Sequence, residues 1–139
     1  MSRSGYSDDI CEYQWQHIMY RGAVASAFRG KRGQDFLKEM LVALDALPEK
    51  KLVAEELETV DGAVCAIGAV GKARGIDQKA IDPEDAVRVA GTFGVAESMA
   101  REIVYVNDDW GPSKETPEAR FIRMRAWIVQ HLPDLGFPW

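Results

Sequence analysis

A chain of 139 residues is one domain of ordinary size, long enough to bury a single core without disulfides or a structural metal. With 47% hydrophobic and 28% charged residues it reads as globular rather than disordered. The net charge of −5 excludes a protein that is basic over its whole surface, the usual state of a nucleic-acid binder, but leaves room for a local basic patch.

The charge comes in alternating blocks. Residues 1–34 carry +2, residues 35–62 carry −5, residues 63–76 carry +2, residues 77–109 carry −5 and residues 110–139 carry +1. A binding face can therefore be strongly polar while the total stays acidic. Cys11 and Cys65 are far apart and in no Cys-x-x-Cys pair, so both are expected as reduced, partly buried thiols in a cytoplasmic protein. Met1 to Asp9 is polar and has no apolar signal core, and no run approaches the roughly 18 apolar residues of a membrane span.

Residues 1–8 read as a flexible lead-in, residues 9–132 as one helical domain and residues 133–139 as a tail. Asp8 or Asp9 caps a first helix expected from about Ile10 to Phe28, with apolar residues on two sides: Trp15, Ile18, Met19 and Gly22 on one, Tyr13, Tyr20, Val24 and Phe28 on the other. After a junction at Gly30 to Gly33, spacings of three and four over Phe36, Leu37, Met40, Leu41, Leu44 and Leu47 predict a helix from Gln34 to Leu47. Pro48 ends it, and the short junction predicts an antiparallel pair. Residues 49–62 are ambiguous. The small apolar stretch from Gly62 to Gly71 reads as a tightly packed helix to about Arg74, with a strand at Ala63 to Ile67 as the competing reading. Asp82-Pro83-Glu84 starts a helix to about Thr92, Gly94 sits in a turn, and another helix runs from Ala96 to about Val106. Asn107 to Pro112 reads as a loop, and Thr116-Pro117-Glu118 starts a last helix to about Leu132. The sum is an all-α bundle of five to six helices, with a short β-hairpin near residues 52–67 as an open alternative.

Three constellations could carry function. In the last helix Arg120, Arg123, Trp127 and His131 share one face, and Trp beside Arg on an exposed face is the composition of a protein-binding hot spot. At the first junction Arg29, Lys31 and Arg32 flank glycines where backbone N–H groups are free, a place for a phosphate or an acidic protein surface. Residues 86–103 resemble a helix-turn-helix, in which Glu97, Ser98 and Arg101 would face the major groove, although two acids (Glu97 and Glu102) against one Arg suit phosphates poorly. No catalytic, cofactor or metal pattern stands out. Gly68-x-x-Gly71-Lys72 lacks the earlier glycine and the hydroxyl of a phosphate loop, and His17 and His131 are isolated.

Several segments are similar to a family of small uncharacterised bacteriophage and prophage proteins of Gram-negative bacteria. They are Arg21-Gly-Ala-Val-Ala-Ser-Ala, Arg29-Gly-Lys-Arg-Gly-Gln-Asp-Phe-Leu, Leu44-Asp-Ala-Leu-Pro-Glu-Lys, Val64-Cys-Ala-Ile-Gly, Glu102-Ile-Val-Tyr-Val-Asn-Asp and Thr116-Pro-Glu-Ala-Arg-Phe. The resemblance spans about Tyr6 to Leu132 and implies a phage origin but no particular activity. Taken with the residues, the expectation is an accessory protein of the host bacterial cytoplasm that binds a host or defence-system protein without catalysis, as a monomer or a homodimer. The alternative is a helix-turn-helix DNA-binding regulator.

Overall fold

The computed structural model describes residues 3–4 and 14–133, with side chains in the first helix from His17 onward. The lead-in apart from Arg3 and Ser4, the helix start at residues 10–13, Cys11, the Trp15 side chain and the tail beyond Pro133 lie outside the described residues. Among the described residues there are six helices: α1 (Gln14–Arg29), α2 (Lys31–Ala46), α3 (Ala66–Arg74), α4 (Ala86–Phe93), α5 (Glu97–Asp109) and α6 (Pro117–Gln130). The fold is all-α. Two helices organise it: α2 packs on α1, α3 and α6, while α5 packs on α1, α3, α4 and α6.

The apolar periodicity of α2 is what buries it. Phe36, Leu37, Met40, Ala43 and Leu44 all face the core, each large side chain stabilising by about 1.5–3 kcal/mol. Its start differs from the expectation. Gly30 alone separates α1 from α2, and Lys31, Arg32 and Gly33 are already helical. This holds because Gly33 lies against the Ala27 carbonyl oxygen, a space any Cβ would overlap. Among the described side chains of α1, Val24 and Phe28 are buried, whereas Ile18 and Met19 are 61% and 65% exposed.

α3 is short because it is surrounded. Ala66 to Gly71 are all buried, and Gly68 brings the helix against the Leu57 carbonyl oxygen. The predicted hairpin near residues 52–67 shrinks to one antiparallel bridge, Glu58 to Val64, with Asp61 and Gly62 in the turn. Backbone bonds across it include Val53 N–H to Val64 O (2.9 Å), Thr59 N–H to Ala63 O (2.8 Å) and Cys65 N–H to Leu57 O (3.2 Å). A longer ladder does not form because Glu55 takes a left-handed backbone conformation (φ 70°) that breaks the extended run.

α4 begins later than expected. Asp82 stabilises a preceding turn by accepting from Glu84 N–H (2.9 Å), and Asp85 is the N-cap, accepting from Arg88 N–H (3.1 Å). Gly94 (φ 74°) then turns the chain into α5. α5 runs three residues past its expected end, so Asn107, Asp108 and Asp109 are helical and not a loop. α6 starts as predicted, with Thr116 Oγ1 accepting from Ala119 N–H at 3.1 Å. Among the described residues no helix is long and apolar enough to cross a membrane.

Candidate functional site

The face of α6 expected to meet a partner is turned inward. Trp127 is 5% exposed and packs edge-on against Phe28 of α1, with ring centroids 5.5 Å apart. His131 stacks 4.5 Å from Trp127 and its Nδ1 lies 2.8 Å from the Trp127 carbonyl oxygen. Gln34 closes the seam by donating to Phe28 O (2.7 Å) and His131 O (2.9 Å), which ties the α1–α2 corner to the end of α6.

Arg120 and Arg123 are committed to the same interior. Arg123 grips Glu115 through Nε (2.7 Å) and Nη2 (2.8 Å), and donates to the carbonyls of Val106 (2.6 Å) and Asn107 (3.2 Å). Arg120 donates to Asn107 O (3.0 Å) and Leu52 O (3.2 Å) and pairs with Glu115 at 3.3 Å. The last carbonyls of a helix have no partner within it and carry a partial negative charge. Two guanidinium groups satisfy that end of α5, so the sequence pattern of a hot spot is here the pattern of an internal clamp. Arg123 beside it holds the Glu115 carboxyl below the usual carboxylate range, against the opposing effect of burial.

The helix-turn-helix resemblance survives as local geometry. Val89, Phe93, Val95, Ala100 and Ile103 fill the space between α4 and α5 as expected. A reading helix, however, must project one face into the groove. α5 is instead packed on by four helices, and Glu102 is buried with both oxygens on Arg21 of α1 (2.7 and 3.0 Å). The outward stripe is narrow. Within it Arg101 is bound to Glu97 (3.0 Å) and to the Ser4 carbonyl (2.8 Å), so the one basic side chain that would read bases is already held. Ser98 is half-buried.

The junction cluster stays on the surface. Arg29, Lys31 and Arg32 are all exposed, and Lys31 pairs with Asp35 one turn on at 2.8 Å. A cleft of about 240 Å³ opens between residues 30–33 and residues 95–96. Neither Gly30 nor Ala96 supplies a side-chain cap, so the first turns of both α2 and α5 present backbone N–H groups at this cleft. Lys31 and Arg32 line this cleft with Ser26 and Ala27 of α1 and with Val95, Ala96 and Met99, and no residue of α6 lines it.

One polar centre was not foreseen. Asn107 caps α3 by accepting from Ala66 N–H (3.1 Å) and donates to Val53 O (3.0 Å) and Asp108 Oδ1 (2.8 Å). Asp108 also accepts from the left-handed Glu55 N–H (3.1 Å) and takes two bonds from Arg3, one at 2.8 Å. The signal was present: Asn107 lies four residues past Ile103, on the buried side of α5. Among the described residues no group of three or more His, Cys, Asp or Glu is arranged to hold a metal ion.

Set against known proteins, the chain matches no family model, no curated protein and no solved structure.

Proposed function

We propose that the chain is a phage accessory protein that acts inside the host bacterial cell by binding a host or defence-system protein, without catalysis. The contact surface in this reading is the exposed side of α1 together with the α1–α2 corner. One observation carries it: two large apolar side chains, Ile18 and Met19, stand exposed on a helix whose C-terminal corner presents Arg29, Lys31 and Arg32, in a stretch from Gln14 to Gln34 that contains no acidic residue. In a chain of net charge −5 this is a localised apolar-and-basic face, the combination that suits an acidic protein surface with an apolar centre. The phage origin rests on the sequence resemblance alone.

The test is affinity capture from host lysate with tagged protein, with and without nuclease, using the native chain and an Arg29→Glu/Arg32→Glu pair. A stoichiometric protein that survives nuclease and is lost from the charge-reversed pair supports the reading. Equal capture by both chains removes this corner from the account. Recovery of DNA alone, lost on nuclease treatment, replaces the reading with the DNA-binding one. Reversal of Arg120 or Arg123 is not a surface test, because both are bound to Glu115 and to main-chain carbonyls.

A further inference from the structure

A second apolar surface runs along the outer side of α6. The helix is apolar on two opposite faces. Phe121, Met124, Trp127 and Ile128 are buried against the rest of the bundle. Ala119, Ile122, Ala126 and Val129 follow one another at spacings of three, four and three, which sets them in one stripe on the other side. Ile122 is 69% exposed, Ala119 and Ala126 are exposed and Val129 is half-buried. A helix that packs on a core with one face ordinarily turns a polar face to water.

The alternation of three and four is the seam along which two helices pair, each apolar side chain seated between those of its neighbour. Glu118 and Arg125 border the stripe on one edge, and Arg123 and Gln130 on the other. Arg123 is committed to Glu115 and to main-chain carbonyls. Arg125 gives Nε and Nη2 to Asp45 at 2.7 and 2.9 Å, and its side chain is still 43% exposed. Glu118 is 59% exposed, with Lys51 4.0 Å away.

We propose that this stripe pairs two copies of the chain, α6 against α6, antiparallel about a two-fold axis level with Met124. Shape and charge both select a second copy and this direction. In that register Ala119 meets Val129 of the second copy and Ile122 meets its Ala126, so each layer sets a small side chain against a large one. Parallel pairing would set alanine on alanine and isoleucine on isoleucine, and would bring Glu118 to Arg123, which Glu115 already holds. In the antiparallel pair Glu118 of each copy comes beside Arg125 of the other, so the two-fold axis generates the ion pair twice. One pair of 14-residue helices buries less than the roughly 1,200–2,000 Å² of a stable complex, so the dimer is weak, with a Kd on the order of 100 μM.

The experiment is sedimentation velocity on the full chain from about 10 μM to about 1 mM, a range that brackets that Kd. The sedimentation coefficient should rise from monomer towards dimer. Ile122→Glu should stay monomeric throughout with an unchanged melting temperature, because the side chain it replaces is exposed. Glu118→Arg should weaken the dimer by about tenfold, and adding Arg125→Glu should restore much of the loss. Direction is read with a short bis-maleimide in a Cys11→Ser background, where the remaining native thiol, Cys65, is buried. Ala119→Cys mixed with Val129→Cys should cross-link to a mixed dimer, and Ala119→Cys alone should not. A native chain that is monomeric at every concentration overturns the proposal, and so does association that survives Ile122→Glu. Self-cross-linking of the Ala119→Cys chain overturns the antiparallel register. Ile18→Glu on α1 is the control: a dimer lost in that variant and kept in Ile122→Glu would put the interface on α1 and overturn the proposal too.

Discussion

Glu115 shows how much a single carboxylate can hold. Its side chain is almost fully covered, and it is the common counter-charge of Arg120 and Arg123. Glu115→Ala should destabilise the fold by about 2 kcal/mol in urea denaturation, the cost of leaving two charged donors short of a partner. The same residue sets a pH dependence. Its carboxyl is depressed below the ordinary 4.5 in the folded protein, so its contribution is fully present above that value. It is lost as pH falls through the lower folded value, and Glu39 and Asp45 behave alike because Arg74 and Arg125 hold them down. Urea midpoints should therefore fall as the pH is lowered below 4.5, and less steeply in Glu115→Gln. Unchanged steepness in that variant would show that Glu115 is not among the groups titrating.

At the scale of the elements, close approach decides more than propensity. α3 carries Ala66, Gly68, Ala69 and Gly71 in its first two turns where neighbours press on its backbone, and a Cβ at Gly68 would overlap the Leu57 carbonyl oxygen. Gly68→Ala should cost about 3 kcal/mol, the upper range for overpacking, since main chain and not a side-chain tip must move. Thr116→Ala removes only a cap bond at 3.1 Å and should cost about 1 kcal/mol, with the α6 start fraying in amide exchange. Partly exposed arginine–carboxylate pairs lie along the seams between helices: Arg74 with Glu39 between α3 and α2, and Arg125 with Asp45 between α6 and α2. Such pairs are worth about 0.2–1 kcal/mol each and set register more than stability. Helix positions were legible wherever a 3.6-residue apolar period or a cap marked them, as in α2 and α6. Their ends were less so: α2 gained Lys31 to Gly33 and α5 gained Asn107 to Asp109, in both cases because tertiary partners held polar or glycine residues in helical conformation.

For the whole molecule the central question is which apolar and basic residues face inward. Trp127→Ala should cost about 3–5 kcal/mol as a core truncation, whereas Arg29→Glu with Arg32→Glu should leave thermal stability within about 0.5 kcal/mol and affect only partner capture. A large destabilisation by the second pair would mean that the α1–α2 corner is structural too. From the sequence alone came the helical class, a range of five to six helices, the starts of α5 and α6, and the acidic balance with its local basic stretch. These follow from periodicity, capping residues and charge, which act over a few residues. The sequence also grouped Arg120, Arg123, Trp127 and His131 on one helix face, and grouped Arg29, Lys31 and Arg32 at a junction, two patterns of the same apparent kind. Only the tertiary structure separated them. It closed the first against α1 and the end of α5, and left the second exposed at the end of the helix that also carries the exposed Ile18 and Met19. The reason is that a helix period tells which side chains share a face, while burial depends on which other helices lie against that face, and those neighbours come from distant parts of the chain.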